Sequence, residues 1–316
     1  MANDGDNLLR AYRPNPGSTG RAVANLGRPV PPNSNRMDLE GAAALRERTY
    51  WIGSHSRNND GERRTARHGF FATVWQDDAV VLAPGTQSVS LLDALSTLAE
   101  REASRFPELR RFIGGAATDK NLAPDRGGLN IEGLAAGADE SSLLLGLRSP
   151  RREADGAAFV ISLRNPAAVV ERGVDPDFGT PIPLDLGRRG IRSMEWLPGR
   201  RTYLIVAGSA GDRTDSSKTF DLYSWAGPGS APVRLEGAEA LLQNLVRPGE
   251  PSPPSTIPFG PEALMVESHV PGRPVRIRLL SDDGDDKTGG SVECQDLPPE
   301  DAGRRFRSLL LDLDLQ

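Results

Sequence analysis

Apolar and polar positions recur along this chain in a tandem pattern. A hydrophobic residue and a Glu open an alternating run, a turn follows, and a second apolar run ends in a small polar loop. The copies read MDLEGAAALRERTYWIGSHSRN from Met37, LNIEGLAAGADESSLLLGLRSPR from Leu129, GIRSMEWLPGRRTYLIVAGSAGD from Gly190 and, more loosely, FGPEALMVESHVPGRPVRIRLLSDDG from Phe259. Each carries a Glu near its start: Glu40, Glu132, Glu195 and Glu262. In the first three copies that Glu stands about 13 to 14 residues before a Gly after the second run. The Glu spacings of 92, 63 and 67 residues reduce to one unit of about 60 if the first gap holds an insertion, the signature of a repeat architecture.

Further strands complete each unit. Phe70–Trp75 (FFATVW), Ala157–Leu163 (AAFVISL), Thr180–Leu186 (TPIPLDL), Thr219–Trp225 (TFDLYSW) and the PVRLEG segment are short and rich in β-branched or aromatic residues. After VVLAP the period changes. Leu91, Leu95 and Leu98 share one helical face, with Ser88 or Ser90 as cap and Asp93 in the first turn, and Pro107 opens a second short helix ended by Gly114 and Gly115. This helical insertion at 88–113 reads as a lid on one edge of the sheets, and a second helical piece is expected at 237–246. About four short strands per tandem unit predict a single all-β domain over 1–316, a β-propeller of five blades with six the alternative count. The first blade is expected to be incomplete. The loop in ANDGDNLLRAY resembles SDDGDD at Ser281, so the chain reads as starting after its own first Glu and strand. A start downstream of the natural one is favoured over closure by Arg307–Leu315 pairing with the N-terminal strand.

Composition narrows the functional classes. With 34 Gly and 26 Pro, turns are many and long helices few, which agrees with a β fold. A net charge of −5, with no clustered basic excess, argues against a nucleic-acid partner. Cys294 is the only cysteine, so neither an intrachain disulfide nor a thiolate metal cluster is available. No apolar stretch is long enough for a membrane helix and the N-terminus has no apolar core of a signal peptide, so the chain as written reads as cytoplasmic, and as exported if its true start lies upstream.

Candidate chemistry follows from blade geometry. The start of the innermost strand and the end of the next lie on the same face, so one channel mouth should collect Glu40, Glu132, Glu195 and Glu262 with the polar loop ends. Those ends carry Ser54, His55, Arg57, Arg148, Ser149, Ser209, Asp212, Asp282 and Asp283, joined by Asp4 and Asp6. Facing carboxylates repel, so the ring must be neutralised by protons, arginine, backbone donors or a hard cation such as Ca²⁺ or Mg²⁺, for which the four Glu and Asp282 are the candidate ligands. Two roles stay open: a latch accepting backbone N–H bonds from the neighbouring blade, or a ligand- or metal-facing site. His55, Arg57 and Arg148 occur once each at loop ends and are the candidate catalytic groups, with His55 either a general base or a loop histidine. Ser54 and Ser149 are candidate ligand contacts but have no nucleophile-elbow context.

Taken together, DLEGAA with YWIGSHSRN, NIEGLA with LLLGLRSPR, and IRSMEWL with TYLIVAGSAG resemble a bacterial family known as domain of unknown function 3616, from about Asp4 to near the C-terminus. Members of that family carry extra sequence before the segment matching ANDGDN. More distantly, the blades with Glu-Gly are similar to phytase-like and esterase-like propellers. The resemblance implies a propeller-like fold and transfers no activity. The expected function is a ligand-binding or scaffold propeller with an acidic channel face that could hold a cation, bound to a small anionic ligand or a protein. The alternative is a metal-assisted hydrolase of phosphoesters or related anionic esters.

Overall fold

The computed structural model describes residues 7–13, 20–26, 36–116, 118–210, 219–238, 242, 259–270, 272–284, 286–287, 291–297 and 306–315. Its strands form antiparallel meanders. The first blade holds β3 (Leu39–Leu45), β4 (Arg48–Gly53), β5 (Phe70–Gln76) and β6 (Ala79–Leu82), after a separate ribbon of β1 (Leu8–Ala11) and β2 (Arg21–Asn25). The second holds β7 (Asn130–Ala136), β8 (Leu143–Ser149), β9 (Ala158–Leu163) and β10 (Ile182–Leu184). The third holds β11 (Gly190–Leu197), β12 (Thr202–Gly208), β13 (Asp221–Trp225) and β14 (Val233–Arg234), and the fourth has three strands, β15 (Pro261–Ser268), β16 (Val275–Ser281) and β17 (Ser308–Leu313). The first strands of the blades, β3, β7, β11 and β15, lie side by side, each against the next.

This is a propeller arrangement of four blades among the described residues, short of the five or six counted from the repeat. The leftover strands are the β1–β2 ribbon. Its Leu9 packs with Leu39, Trp51 and Phe71 of the first blade, while Tyr12, just past β1, meets Phe306 edge-on with ring centroids 5.0 Å apart. The ribbon therefore touches both ends of the blade series. The C-terminal strand β17 pairs with β16, and not with the N-terminal strand.

Each gap between blades is filled by its own apolar layer, which explains why second strands are continuous apolar runs. In β12 the period of two sends Tyr203, Ile205 and Ala207 to the layer shared with the second blade, and Leu204 and Val206 to the layer shared with the fourth. Both faces are buried, so alternation of apolar with polar residues is lost. Trp225 and Tyr203 anchor the former layer, Leu264, Ile277 and Leu279 the latter.

The Glu-Gly dipeptide has a packing reason in its second residue. A Cβ on Gly133 would stand 2.8 Å from Ile191 Cγ2 and 3.0 Å from Met194 Cγ, and one on Gly41 would stand 2.8 Å from Leu134 Cβ. In each case the obstacle is the innermost strand of the next blade. Gly133→Ala should therefore lower stability by about 1 to 3 kcal/mol through overpacking, measured by urea unfolding. An unchanged midpoint would show that the blades separate freely at this point.

Two helices, α1 (Leu92–Arg101) and α2 (Pro107–Ile113), occupy the insertion at 88–113, and Leu91, Leu95, Leu98 and Leu109 are buried against the first two blades. A third, α3 (Pro166–Arg172), has no counterpart in the sequence reading, although Pro166 at its start and the left-handed Gly173 after its end bracket it. The helical piece expected at 237–246 lies outside the described residues except for Gly237, Ala238 and Leu242, of which the last two are buried. Among the described residues no helix is long and apolar enough to cross a membrane.

Candidate functional site

The chain's repeated acidic position coincides with a repeated irregularity of the ladder. In the first blade Leu39 pairs with Gly53 and Gly41 with Ile52, so Glu40 is an extra residue bulged out of the β3–β4 pairing. Glu132 is bulged between Ile131 and Gly133 in the second blade, and Glu262 between Pro261 and Ala263 in the fourth. In the third blade the bulged residue is Arg192, between Ile191 and Ser193. The four equivalent positions thus carry three glutamates and one arginine.

Glu195, expected to complete the ring, lies three residues further along β11 opposite Leu204. The slip has a definite origin. Two residues, Arg46 and Glu47, separate the paired ends of β3 and β4, whereas four, Pro198 to Arg201, separate those of β11 and β12. Gly53 corresponds in register to Ala207 and not to Gly208, which adds the third residue. Equal spacing back from a glycine assumes equal turns, and these turns differ.

Arg192 joins the blades on either side of it. Its side chain ion-pairs with Glu132 at 3.0 Å and also contacts Glu262, and the residue is buried. Glu132, equally buried, also receives Arg148 Nη1 at 3.0 Å and the Asn130 amide at 2.9 Å. Carboxylate and guanidinium neutralise each other out of water, the arrangement that makes an isolated buried charge tolerable. Burial is the largest influence on Arg192 and lowers its pKa, with Glu132 opposing and Arg148 adding to the lowering. Arg148 is shifted the other way. Burial alone would lower its pKa, but the charge and hydrogen bond of Glu132, helped by Glu40 and Asp38, raise it. The fields of Glu40 and Asp282 also reach Arg192, which places both near the same mouth.

The loop after β4 is only partly at this mouth. Ser54 donates to Asp38 at 2.6 Å, Arg67 pairs with Asp38 at 3.2 Å, and the Ser54 carbonyl accepts the Ile131 N–H at 2.9 Å, tying the loop to the second blade. His55 and Arg57 turn away from the ring toward the helical insertion. His55 Nδ1 is 2.9 Å from the Gly53 carbonyl, and its Nε2 accepts the Leu91 N–H at 3.1 Å. Both ring nitrogens are engaged, and burial lowers its pKa to about 4. In this arrangement the ring has no lone pair for proton abstraction and works as a clamp between β4 and α1. Arg57 donates to the carbonyls of Gly61 at 3.0 Å and Ala116 at 2.6 Å, fastening the loop to the segment after α2.

Other candidates are similarly engaged. The Ser149 hydroxyl donates to the Gly128 carbonyl at 2.6 Å and is buried. Asp283 is buried in a fork with Arg307, closest contact 2.7 Å, while exposed Asp282 accepts the Gly284 N–H at 2.9 Å in a local turn. Ser209 is half-buried just after β12, and Asp4, Asp6 and Asp212 lie outside the described residues. Among the described residues no group of three or more His, Cys, Asp or Glu side chains could hold a metal ion. Arg192, Arg67 and Asp38 were missed in the sequence. The signal for Arg192 was the match of Ile191-Arg192-Ser193 to Ile131-Glu132-Gly133.

No known family's profile matches the chain, and no curated protein does. Among solved structures it is similar to a GH74 xyloglucanase from Xanthomonas campestris, with a TM-score of 0.35 and 20% identity over 85% of this chain and 30% of that one. It is also similar to an N-acetylgalactosamine deacetylase from F. plautii, solved with blood group B trisaccharide, with a TM-score of 0.36 and 12% identity over 83% of this chain and 67% of that one. The chain spans less than a third of the xyloglucanase's length. At such scores neither likeness informs the chemistry of this chain.

Proposed function

We propose that this chain is a propeller with a ligand-binding or scaffold role, in which the charges at the channel mouth serve first to lock the blades. One observation carries the reading: Arg192 stands where the other blades place Glu and pairs with the Glu of the blade on each side. An acidic lip remains around this core. Glu40 and Glu262 are half-buried and Asp282 is exposed, so a partner docking there meets negative charge. The sequence resemblance to domain of unknown function 3616 supports a propeller and adds no activity.

The competing reading, metal-assisted hydrolysis of phosphoesters, needs carboxylates converging on one point with an open ligand position. Here the buried ring carboxylate, Glu132, is taken by two arginines and an amide. Thermal melts with chelator and with added Ca²⁺ test the two readings, together with p-nitrophenyl phosphate and ester turnover in Ca²⁺, Mg²⁺ or Mn²⁺. Coincident melts and no metal-dependent turnover are expected. A calcium-dependent rise in melting temperature, or turnover, that disappears in Glu262→Gln would favour the hydrolase.

A further inference from the structure

An open groove of about 590 Å³ lies between the turn at Thr65–His68 and the start of α1. His68 forms part of its wall. The residue is only 7% exposed, yet neither ring nitrogen has a hydrogen-bond partner among the described residues. Its ring stacks on His55, with centroids 5.6 Å apart and planes 16° from parallel, so it is held from one side and faces the groove on the other. Neither nitrogen is sealed away from the groove, so the ring keeps its hydrogen-bonding capacity for whatever occupies it.

The rest of the lining indicates what that is. Thr65, Ser88 and Ser90 bring hydroxyls, Arg63 brings a guanidinium, and the first turn of the ten-residue α1 directs its N-terminal end at the groove. The Ser90 hydroxyl accepts the Leu92 N–H at 3.2 Å, and the N–H groups of a helix's first turn have no partner within the helix and are of the kind that bind anions. Asp93 is the single acid of the lining, while Arg63, Arg57 and Arg67 all add positive potential at His68. We infer that this groove binds a small ligand through an oxyanion, a carboxylate or a phosphate, taken by His68, Arg63 and the first turn of α1. Its volume leaves room for more of the ligand than the anionic group.

The test uses the full chain with inorganic phosphate in one arm and acetate in the other, each against chloride of matched ionic strength. The chain has 3 histidines, so their side-chain resonances can be followed singly. Either anion should saturably shift the His68 resonance and leave that of His269 in place. Dissociation constants should rise about tenfold or more, read from the His68 resonance in Arg63→Gln and by titration calorimetry in His68→Gln, as expected for the loss of one charge-assisted hydrogen bond. Phosphate acting alone would identify a phosphorylated ligand, and acetate alone a carboxylate. No shift beyond the chloride control in wild type, or a shift unchanged in Arg63→Gln, overturns the proposal even if His68→Gln does not fold.

Discussion

Glu132→Ala should lower the unfolding free energy by about 3 to 5 kcal/mol, because it removes the buried carboxylate that two guanidinium groups share and leaves Glu262 to balance Arg192 from one side. Glu132→Gln should cost nearly as much. Had the carboxylate accepted backbone N–H bonds, as a repeated latch read from sequence would do, an amide would retain much of the bonding and cost only about 1 to 3 kcal/mol. The observed partners are Arg148, Arg192 and the Asn130 amide, all donors, and two of them carry charge. A neutral amide cannot balance them, and its own NH₂ group adds a further donor. Urea unfolding of the three proteins at one pH checks this. A Gln variant within about 1 kcal/mol of wild type would show that charge balance is not what the site depends on.

Much of the architecture was legible because it rests on local period. The strand periods, the four units and the insertion at 88–113 follow from side-chain alternation and helical spacing, which tertiary context did not override. Glu40 and Glu132 are placed together because the Glu-Gly dipeptide recurs around them, and Glu262, followed by Ala263, because it too opens a β-like run. Arg192 was not found, since the count that located Glu195 assumed hairpins of one length while a turn of four residues replaces one of two. The position of His55 and Arg57 after the second strand points them to the mouth. Their direction depends on the helical insertion, whose docking supplies Leu91 N–H and the Ala116 carbonyl from far along the chain. Nothing in a single polar loop reveals partners contributed by an insertion. The helix α3 was overlooked for a milder reason: seven residues with only Pro166 and Gly173 as punctuation give too short a window for the 3.6 period to emerge.

Glu195, displaced from the ring, still shapes stability through its proton. Its carboxylate has no hydrogen bond among the described residues, and burial raises its pKa from 4.5 to about 7. The folded state therefore holds a proton that the unfolded chain releases earlier. Glu195's favourable contribution is fully present below pH 4.5 and is lost as pH rises through about 7, a swing of up to about 3 kcal/mol. His55 works in the opposite sense. Its pKa is lowered from 6.5 to about 4, so its contribution is present above pH 6.5 and lost as pH falls through about 4. His68, also lowered, acts with His55, while Glu108, raised by burial, acts with Glu195. Between pH 4.5 and 6.5 the slopes of Glu195 and His55 oppose each other, and wild-type stability should change little there. Glu195→Gln removes one of them. The variant should match wild type near pH 4, gain stability with pH across the window, and exceed wild type at pH 7.5 by up to about 3 kcal/mol. Urea unfolding at half-unit steps of pH measures the two curves. If they run parallel, the Glu195 carboxyl ionises in the native state as it does in the unfolded chain, and its burial has no energetic consequence.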